Sequence, residues 1–140
     1  MCVFSTRSPF VASLVLAKVM KEAGLRAFIG KLSMDTSSRP SYVEPSPQAS
    51  LDSAISFVEK CYALDEATGP RLIEPILTPR FVPTCSDPLL HGLGELAAQG
   101  RNSIPLRIQS HLAESEDQVA WVKSTRQGAD DIDVFDQVRP

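Results

Sequence analysis

Helix-like and strand-like segments alternate along this chain, and that alternation constrains its fold more than any other feature. Stretches with apolar residues at helical spacing are separated by short apolar runs that have the length of strands. Strands are expected near residues 26–34, 72–81 and 105–111, with a helix before the first and after each one. This order is typical of parallel strands joined by covering helices, so it predicts an α/β fold. Periodicity alone does not separate an open sheet from a barrel.

Capping residues indicate where the predicted helices begin and end. Serine and proline favour helix starts, glycine favours helix ends, and a Ser-x-x-Gln pair can form a capping box. A long loop is expected between the first strand and the second helix, over residues 35–49. The expected boundary residues, in chain order, are Ser8-Pro9, Gly24, Ser50, Ser86, Gly100 and the pair Ser115 and Gln118.

Composition excludes several classes of function. The 140 residues are 43% hydrophobic, which is sufficient for one domain with a core. The 14 basic and 17 acidic residues give a net charge of −3, so nucleic acid is not an expected partner. No apolar run approaches the roughly 20 residues of a membrane helix. Cys2, Cys61 and Cys85 form no C-x-x-C pair, which favours reduced thiols in a cytoplasmic protein.

The third strand ends in polar residues that suit an active site. Alternation directs one set of side chains towards the helices and places Arg107, Gln109 and His111 on the opposite face. His111 lies at the carboxyl end of this strand, where α/β barrels gather their active sites, and Glu114 follows three residues later. Taken alone, a hydrogen-bonded structural histidine and a solvated loop acid are the commoner interpretation of such a pair.

Arg80 and Phe81 end the second strand and suit the recognition of a flat ring. A guanidinium presents donors in a fixed fork, and a phenyl ring offers a stacking face. Strand neighbours point apart, so both side chains reach one ligand only if the chain turns, which Pro79 and Pro83 favour. A surface arginine beside a core phenylalanine is the alternative. Trp121 is most simply a core residue, and His91 is expected on a helix surface.

Three segments of the chain resemble consecutive blocks of the guanine deaminases, which are zinc hydrolases of the amidohydrolase superfamily. They are RAFIGKLSMD (26–35), LTPRF (77–81) and QSHLAES (109–115), and they occur in the family's order at suitable intervals. The similarity covers most of residues 4–135. It implies that residues 1–140 are a partial (β/α)8 barrel of about three βα units, incomplete at both ends.

The resemblance also implies a reaction and a role for four residues. Guanine deaminases hydrolyse guanine to xanthine and ammonia with one zinc ion. By resemblance, His111 binds the metal, Glu114 carries protons, and Arg80 with Phe81 binds the purine. The complete enzyme would be a cytoplasmic protein that forms homodimers, with guanine as its small-molecule partner.

This sequence departs from the family's pattern at the remaining metal ligands. The family also uses an H-x-H pair, a further histidine and an aspartate, and none of these has a match here. A catalytic zinc usually has three protein ligands, whereas this chain supplies one. We therefore expect the chain alone to be inactive. A related amidohydrolase acting on another heterocycle and a non-catalytic interaction fragment remain as alternatives.

Overall fold

The computed structural model describes residues 9–36, 40–66, 71–102 and 104–138. These residues form five helices and four strands, together with a short 3-10 turn at Val82–Thr84. In chain order the elements are α1 (Pro9–Glu22), β1 (Ala27–Ile29), β2 (Leu32–Ser33), α2 (Pro47–Glu66), β3 (Ile73–Pro79), α3 (Asp87–Gln99), β4 (Arg107–Ile108), α4 (Glu116–Thr125) and α5 (Asp131–Gln137).

Strand β3 is the centre of a parallel sheet. It pairs with β1 and β2 along one edge and with β4 along the other, and all three pairings are parallel. The registers are Ala27 with Ile73, Leu32 with Thr78, and Ile76 with Arg107. The predicted mixed α/β fold with three adjacent parallel strand segments is therefore confirmed, although the expected first strand is divided into β1 and β2.

A glycine permits the close approach of the first strand segment to β3. Gly30 lies between β1 and β2, and a Cβ atom built there would lie 1.9 Å from Thr78 Oγ1 and 2.6 Å from the carbonyl oxygen of Ile76. Both distances are far below van der Waals contact. The position beside Thr78 therefore accepts only a residue without a side chain.

Helices cover one face of the sheet and create its hydrophobic core. The fully buried side chains there include Phe57 from α2, Leu89 and Leu93 from α3, and Val122 from α4. The other face carries Phe28 and Arg107, both exposed, with the Arg107 guanidinium 5.1 Å from the centre of the Phe28 ring. The sheet is thus apolar towards its helices, and its opposite face, called the polar face below, carries the Arg107 guanidinium beside the Phe28 ring.

Most predicted helix boundaries agree with the structure, and one is wrong. Ser86 and Ser115 cap α3 and α4, but Ser50 does not cap α2. That helix begins at Pro47, and Ser46 Oγ accepts a hydrogen bond from the amide of Ala49 at 3.1 Å. Ser50 lies inside the helix, and its hydroxyl donates to Glu44 rather than capping the helix. Ser8 lies outside the described residues.

One further feature of the C-terminal part differs from expectation. Trp121 is not a core residue, since 40% of its surface is exposed. Helix α4 buries Gln118 and Val122, which are one turn apart, and this directs Trp121 to the side. The acidic tail forms α5, whose capping box uses Asp130 and Asp133.

None of the helices in the described ranges is long and apolar enough to cross a membrane.

Candidate active site

The carboxyl ends of β2, β3 and β4 meet around the backbone of Arg80. Its amide donates to the carbonyl of Ser33 at 3.1 Å, and its carbonyl accepts the His111 amide at 3.1 Å. Two residues earlier in each segment, Gln109 Nε2 donates to Thr78 Oγ1 at 3.0 Å. Arg80 and His111 therefore lie side by side just beyond the carboxyl ends of β3 and β4, and the third strand ends at Ile108 rather than at His111 as predicted.

Arg80 and Phe81 lie together because the chain turns at the end of β3. The strand ends at Pro79, and the 3-10 turn follows directly. Phe81 is extended, with φ −174° and ψ 162°, and the Arg80 guanidinium lies 4.9 Å from the centre of its ring. An Arg80 amino group also contacts the buried Met34 Sδ at 3.8 Å. The structure therefore unites the two predicted purine-binding side chains.

The hydrogen bond of the His111 imidazole leaves its Nε2 available to bind a metal. Its Nδ1 lies 2.8 Å from the carbonyl oxygen of Arg80. A carbonyl can only accept, so Nδ1 carries the proton in a neutral ring and Nε2 retains a lone pair. Metal-binding histidines typically donate their second ring N–H to such an oxygen, which fixes the ring orientation. His111 is half-buried and so remains accessible at this edge.

A complete metal site is not present among the described residues. Across those ranges, no group of three or more His, Cys, Asp and Glu side chains could hold a metal ion. His91, the second histidine of the sequence, is exposed on α3 as expected. His111 therefore fits a single zinc ligand, and a catalytic zinc would need others.

Glu114 lies in a loop whose backbone is held by the first turn of α4. Its side chain is exposed, and its amide donates to Gln118 Oε1 at 3.1 Å. The expected capping box is therefore only half formed: Ser115 Oγ accepts the Gln118 amide, but the Gln118 side chain bonds Glu114 rather than Ser115. Ala113, the residue before Glu114, has a left-handed backbone with φ 46°. No pattern in the sequence indicated that conformation.

Lys31, between β1 and β2, and Asp35, which follows β2, take structural roles. Lys31 is buried and forms a salt bridge with Glu44; burial lowers its pKa, and the charge and hydrogen bond of Glu44 oppose that shift. Asp35 accepts hydrogen bonds from the Ser86 amide, at 2.8 Å, and from the Ser86 hydroxyl. Lys31 therefore serves in a buried ion pair, and Asp35 anchors the start of α3 through Ser86.

The turn after β3 also buries a thiol. Cys85 is 1% exposed, and its Sγ lies 3.3 Å from the carbonyl oxygen of Ser33, to which it donates. Burial raises the pKa of the Cys85 thiol to about 11, so the thiolate does not form near neutral pH. Cys85 is therefore a packing residue beneath the Arg80–Phe81 turn, not a nucleophile.

Comparison with known proteins shows which proteins this chain resembles. No protein-family model matches the chain. Its sequence is 39% identical over 127 residues to the guanine deaminase of Dictyostelium discoideum, a match that covers 91% of this chain and 26% of that protein. It is 35% identical over 114 residues to the guanine deaminase of Homo sapiens, covering 81% of this chain and 23% of the relative.

Solved structures give the same result. The fold matches the crystal structure of guanine deaminase from C. acetobutylicum with guanine bound in its active site, at a TM-score of 0.78 and 31% identity. The match covers 92% of this chain and 29% of that structure. The E. coli guanine deaminase has the same fold over 88% of this chain, with a TM-score of 0.70. The chain is therefore a relative of the guanine deaminases and spans about a quarter of the length of its curated relatives.

Proposed function

We propose that this chain is part of the catalytic barrel of a zinc-dependent guanine deaminase. Residues 1–140 would supply about three βα units of a (β/α)8 barrel, with the polar face of the sheet turned inwards. The contact that carries the proposal is the 2.8 Å approach of His111 Nδ1 to the Arg80 carbonyl. This contact supports the proposal because it would join the proposed metal ligand to the proposed purine-binding pair.

His111 would hold the zinc ion through Nε2. The hydrogen bond from His111 Nδ1 to the Arg80 carbonyl leaves the free lone pair of the ring on Nε2 and fixes the plane of the imidazole. Bound zinc would supply activation of a water molecule near neutral pH. Further ligands would have to join His111, since the described ranges hold no complete group of ligating side chains.

The other three residues would bind guanine and move the protons. The Arg80 guanidinium would donate to the ring carbonyl, and Phe81, whose ring lies beside it, would hold the ring plane. Glu114 would accept one proton from water and donate it to a ring nitrogen, and would then carry the second proton of that water to the departing amine. The products, xanthine and ammonia, then balance guanine and water. One carboxylate thus serves as general base and general acid.

Guanine is the proposed substrate because the similar proteins are guanine deaminases and the C. acetobutylicum structure holds guanine. A related amidohydrolase that acts on another heterocycle is the alternative, and the Arg80–Phe81 pair favours guanine over it. A cytoplasmic location and a homodimer of the complete enzyme belong to the same proposal. Ammonia release from guanine, other purines and pterins distinguishes the substrates.

Three variants in the full-length, zinc-loaded protein test the separate roles. Glu114→Gln should keep zinc and guanine binding but lose about 10²–10⁴-fold or more in kcat, because an amide cannot exchange the proton. His111→Ala should lower zinc content together with activity. Arg80→Ala should mainly raise KM, because its contact persists throughout the reaction.

Metal analysis and steady-state kinetics distinguish these outcomes, with His91→Ala as the matched control. His91 is exposed on α3, so its loss should alter neither zinc content nor turnover. Wild-type turnover in Glu114→Gln, or full zinc content in His111→Ala, would contradict the proposed roles. The 140-residue chain alone should show neither stoichiometric zinc after dialysis against a mild chelator nor xanthine formation.

A further inference from the structure

The backbone next to Glu114 has a rare conformation, although the Glu114 side chain is exposed to solvent. Ala113, directly before it, adopts φ 46°, a conformation that L-residues with a side chain rarely adopt. Such a conformation persists only where the surrounding contacts impose it, and it is concentrated at functional sites. The loop between His111 and Glu114 is therefore fixed at a conformational cost.

Gln118 supplies the contact that holds this loop. Its Oε1 accepts the Glu114 amide at 3.1 Å, and its backbone amide donates to Ser115 Oγ at 3.2 Å. Gln118 is only 8% exposed, whereas Glu114 and Ser115 are exposed. A buried amide must satisfy both its acceptor and its donor end, so its orientation is fixed by what bonds its nitrogen.

Asp131 bonds that nitrogen from α5. Its Oδ1 accepts from Gln118 Nε2 at 3.3 Å, and Asp131 is 4% exposed. A carboxylate only accepts, so it fixes Nε2 towards α5 and leaves Oε1 directed at Glu114. Helix α5 is anchored in turn by Val134, which is buried in the same core cluster as Val122 of α4.

We propose that Ala113, Gln118 and Asp131 are positioning residues that set the location of Glu114 relative to His111. This inference rests on the proposed function, in which Glu114 carries the protons. None of the three touches substrate or metal. They determine the position of the Glu114 carboxylate, and a displacement of a catalytic group by about 1 Å can lower the rate 10²-fold.

Ala113→Gly separates positioning from stability. Glycine adopts the left-handed region without steric cost, so Tm should be unchanged or higher, while the loosened loop lowers kcat about tenfold or more. KM for guanine and zinc content should stay at wild-type values. Ala98→Gly, at an exposed position of α3, is the matched control, since it should lower Tm and leave kcat unchanged.

A charge exchange tests the link to α5. Gln118→Glu removes the N–H donor that faces Asp131 and places two carboxylates, which can only accept, opposite each other. We therefore expect kcat to fall at least about tenfold. The double variant Gln118→Glu/Asp131→Asn restores a donor at position 131 and keeps an acceptor for the Glu114 amide. It should recover most of the lost kcat.

These measurements are made on the full-length, zinc-loaded protein beside Glu114→Gln. If Glu114→Gln abolishes turnover but Ala113→Gly stays within twofold of wild type in kcat, positioning by Ala113 is wrong and the proposed function stands. If the charge exchange fails to restore kcat, the role of Asp131 is wrong. If Glu114→Gln itself keeps wild-type turnover, the proposed function is wrong.

Discussion

Replacing Asp35 with alanine should loosen the turn that carries Arg80 and Phe81. The Asp35 carboxylate accepts both the amide and the hydroxyl of Ser86, and its own amide donates to the carbonyl of Thr84 at 3.1 Å. It therefore joins the end of β2 to the end of the turn and to the start of α3. Asp35→Ala removes the two carboxylate bonds and leaves the Ser86 amide without its acceptor.

The size of the effect follows from those two bonds. A hydrogen bond to a charged group contributes about 1.5–3 kcal/mol, and the half-buried position of Asp35 keeps the combined loss near 2–3 kcal/mol. At 1.36 kcal/mol for each factor of ten, local opening of the turn becomes roughly 30- to 160-fold more frequent. Since the turn carries the proposed purine-binding pair, KM for guanine should rise by up to about tenfold, with kcat less affected.

Hydrogen exchange of a peptide covering residues 80–89 measures this opening directly. Asp52→Ala is the control, because it removes the same charge from an exposed position on α2, where Asp52 accepts a hydrogen bond from Gln48 Nε2 at 2.8 Å. It should leave exchange in that peptide and KM unchanged. Wild-type protection of residues 80–89 in Asp35→Ala would refute the reasoning, because the carboxylate would then not hold the turn.

Two further predictions concern the sheet and the buried thiol. Gly30→Ala should lower the free energy of unfolding, measured in urea, by about 3 kcal/mol or more, because its Cβ would lie 1.9 Å from Thr78 Oγ1. The control is Gly24→Ala, at a position with open space but φ 71°, and it should cost less. Equal losses in the two variants would contradict this prediction. Cys85 holds its proton in the folded state from its ordinary pKa of 9.0 up to about 11, so its contribution to stability is complete below pH 9 and is lost as the pH rises through 11. Wild type should therefore lose about 2 kcal/mol more than Cys85→Ala between pH 9 and 11, and equal slopes for the two proteins would contradict the assignment.

The fold was predictable from the sequence because its signals are local. Ser86 and Gly100 mark the ends of α3, and apolar runs mark the strands that pair in parallel. Capping residues act on amides within a few positions of themselves, so sequence order alone reveals them. Ser50 misled because a buried hydroxyl near a helix start has the same local pattern as a cap, whereas its partner is Glu44, across the loop.

The candidate site was predictable only in part. The residue types and strand ends of Arg80 and His111 indicated a polar edge, but their joining contact depends on strand register, which periodicity does not give. The support for Glu114 was not predictable, since Asp131 lies in a helix that sequence reasoning missed and Ala113 has no residue signature for a left-handed backbone. Contacts between distant segments therefore account for what the sequence left open.

The central position of β3 has a consequence for synthesis on the ribosome. Ala27 of β1 pairs with Ile73, which is 46 residues further along the chain. At about 5–20 residues per second, the first strand waits roughly 2–9 s for its neighbour to be translated. During that interval Ile29 and the apolar faces of α1 and α2 cannot pack against the sheet. A chaperone that binds apolar segments can bind the nascent chain at this stage. Codons that slow translation between residues 30 and 73 would lengthen this exposure, whereas slow codons after β3 would allow the first parallel pair to form before β4 arrives.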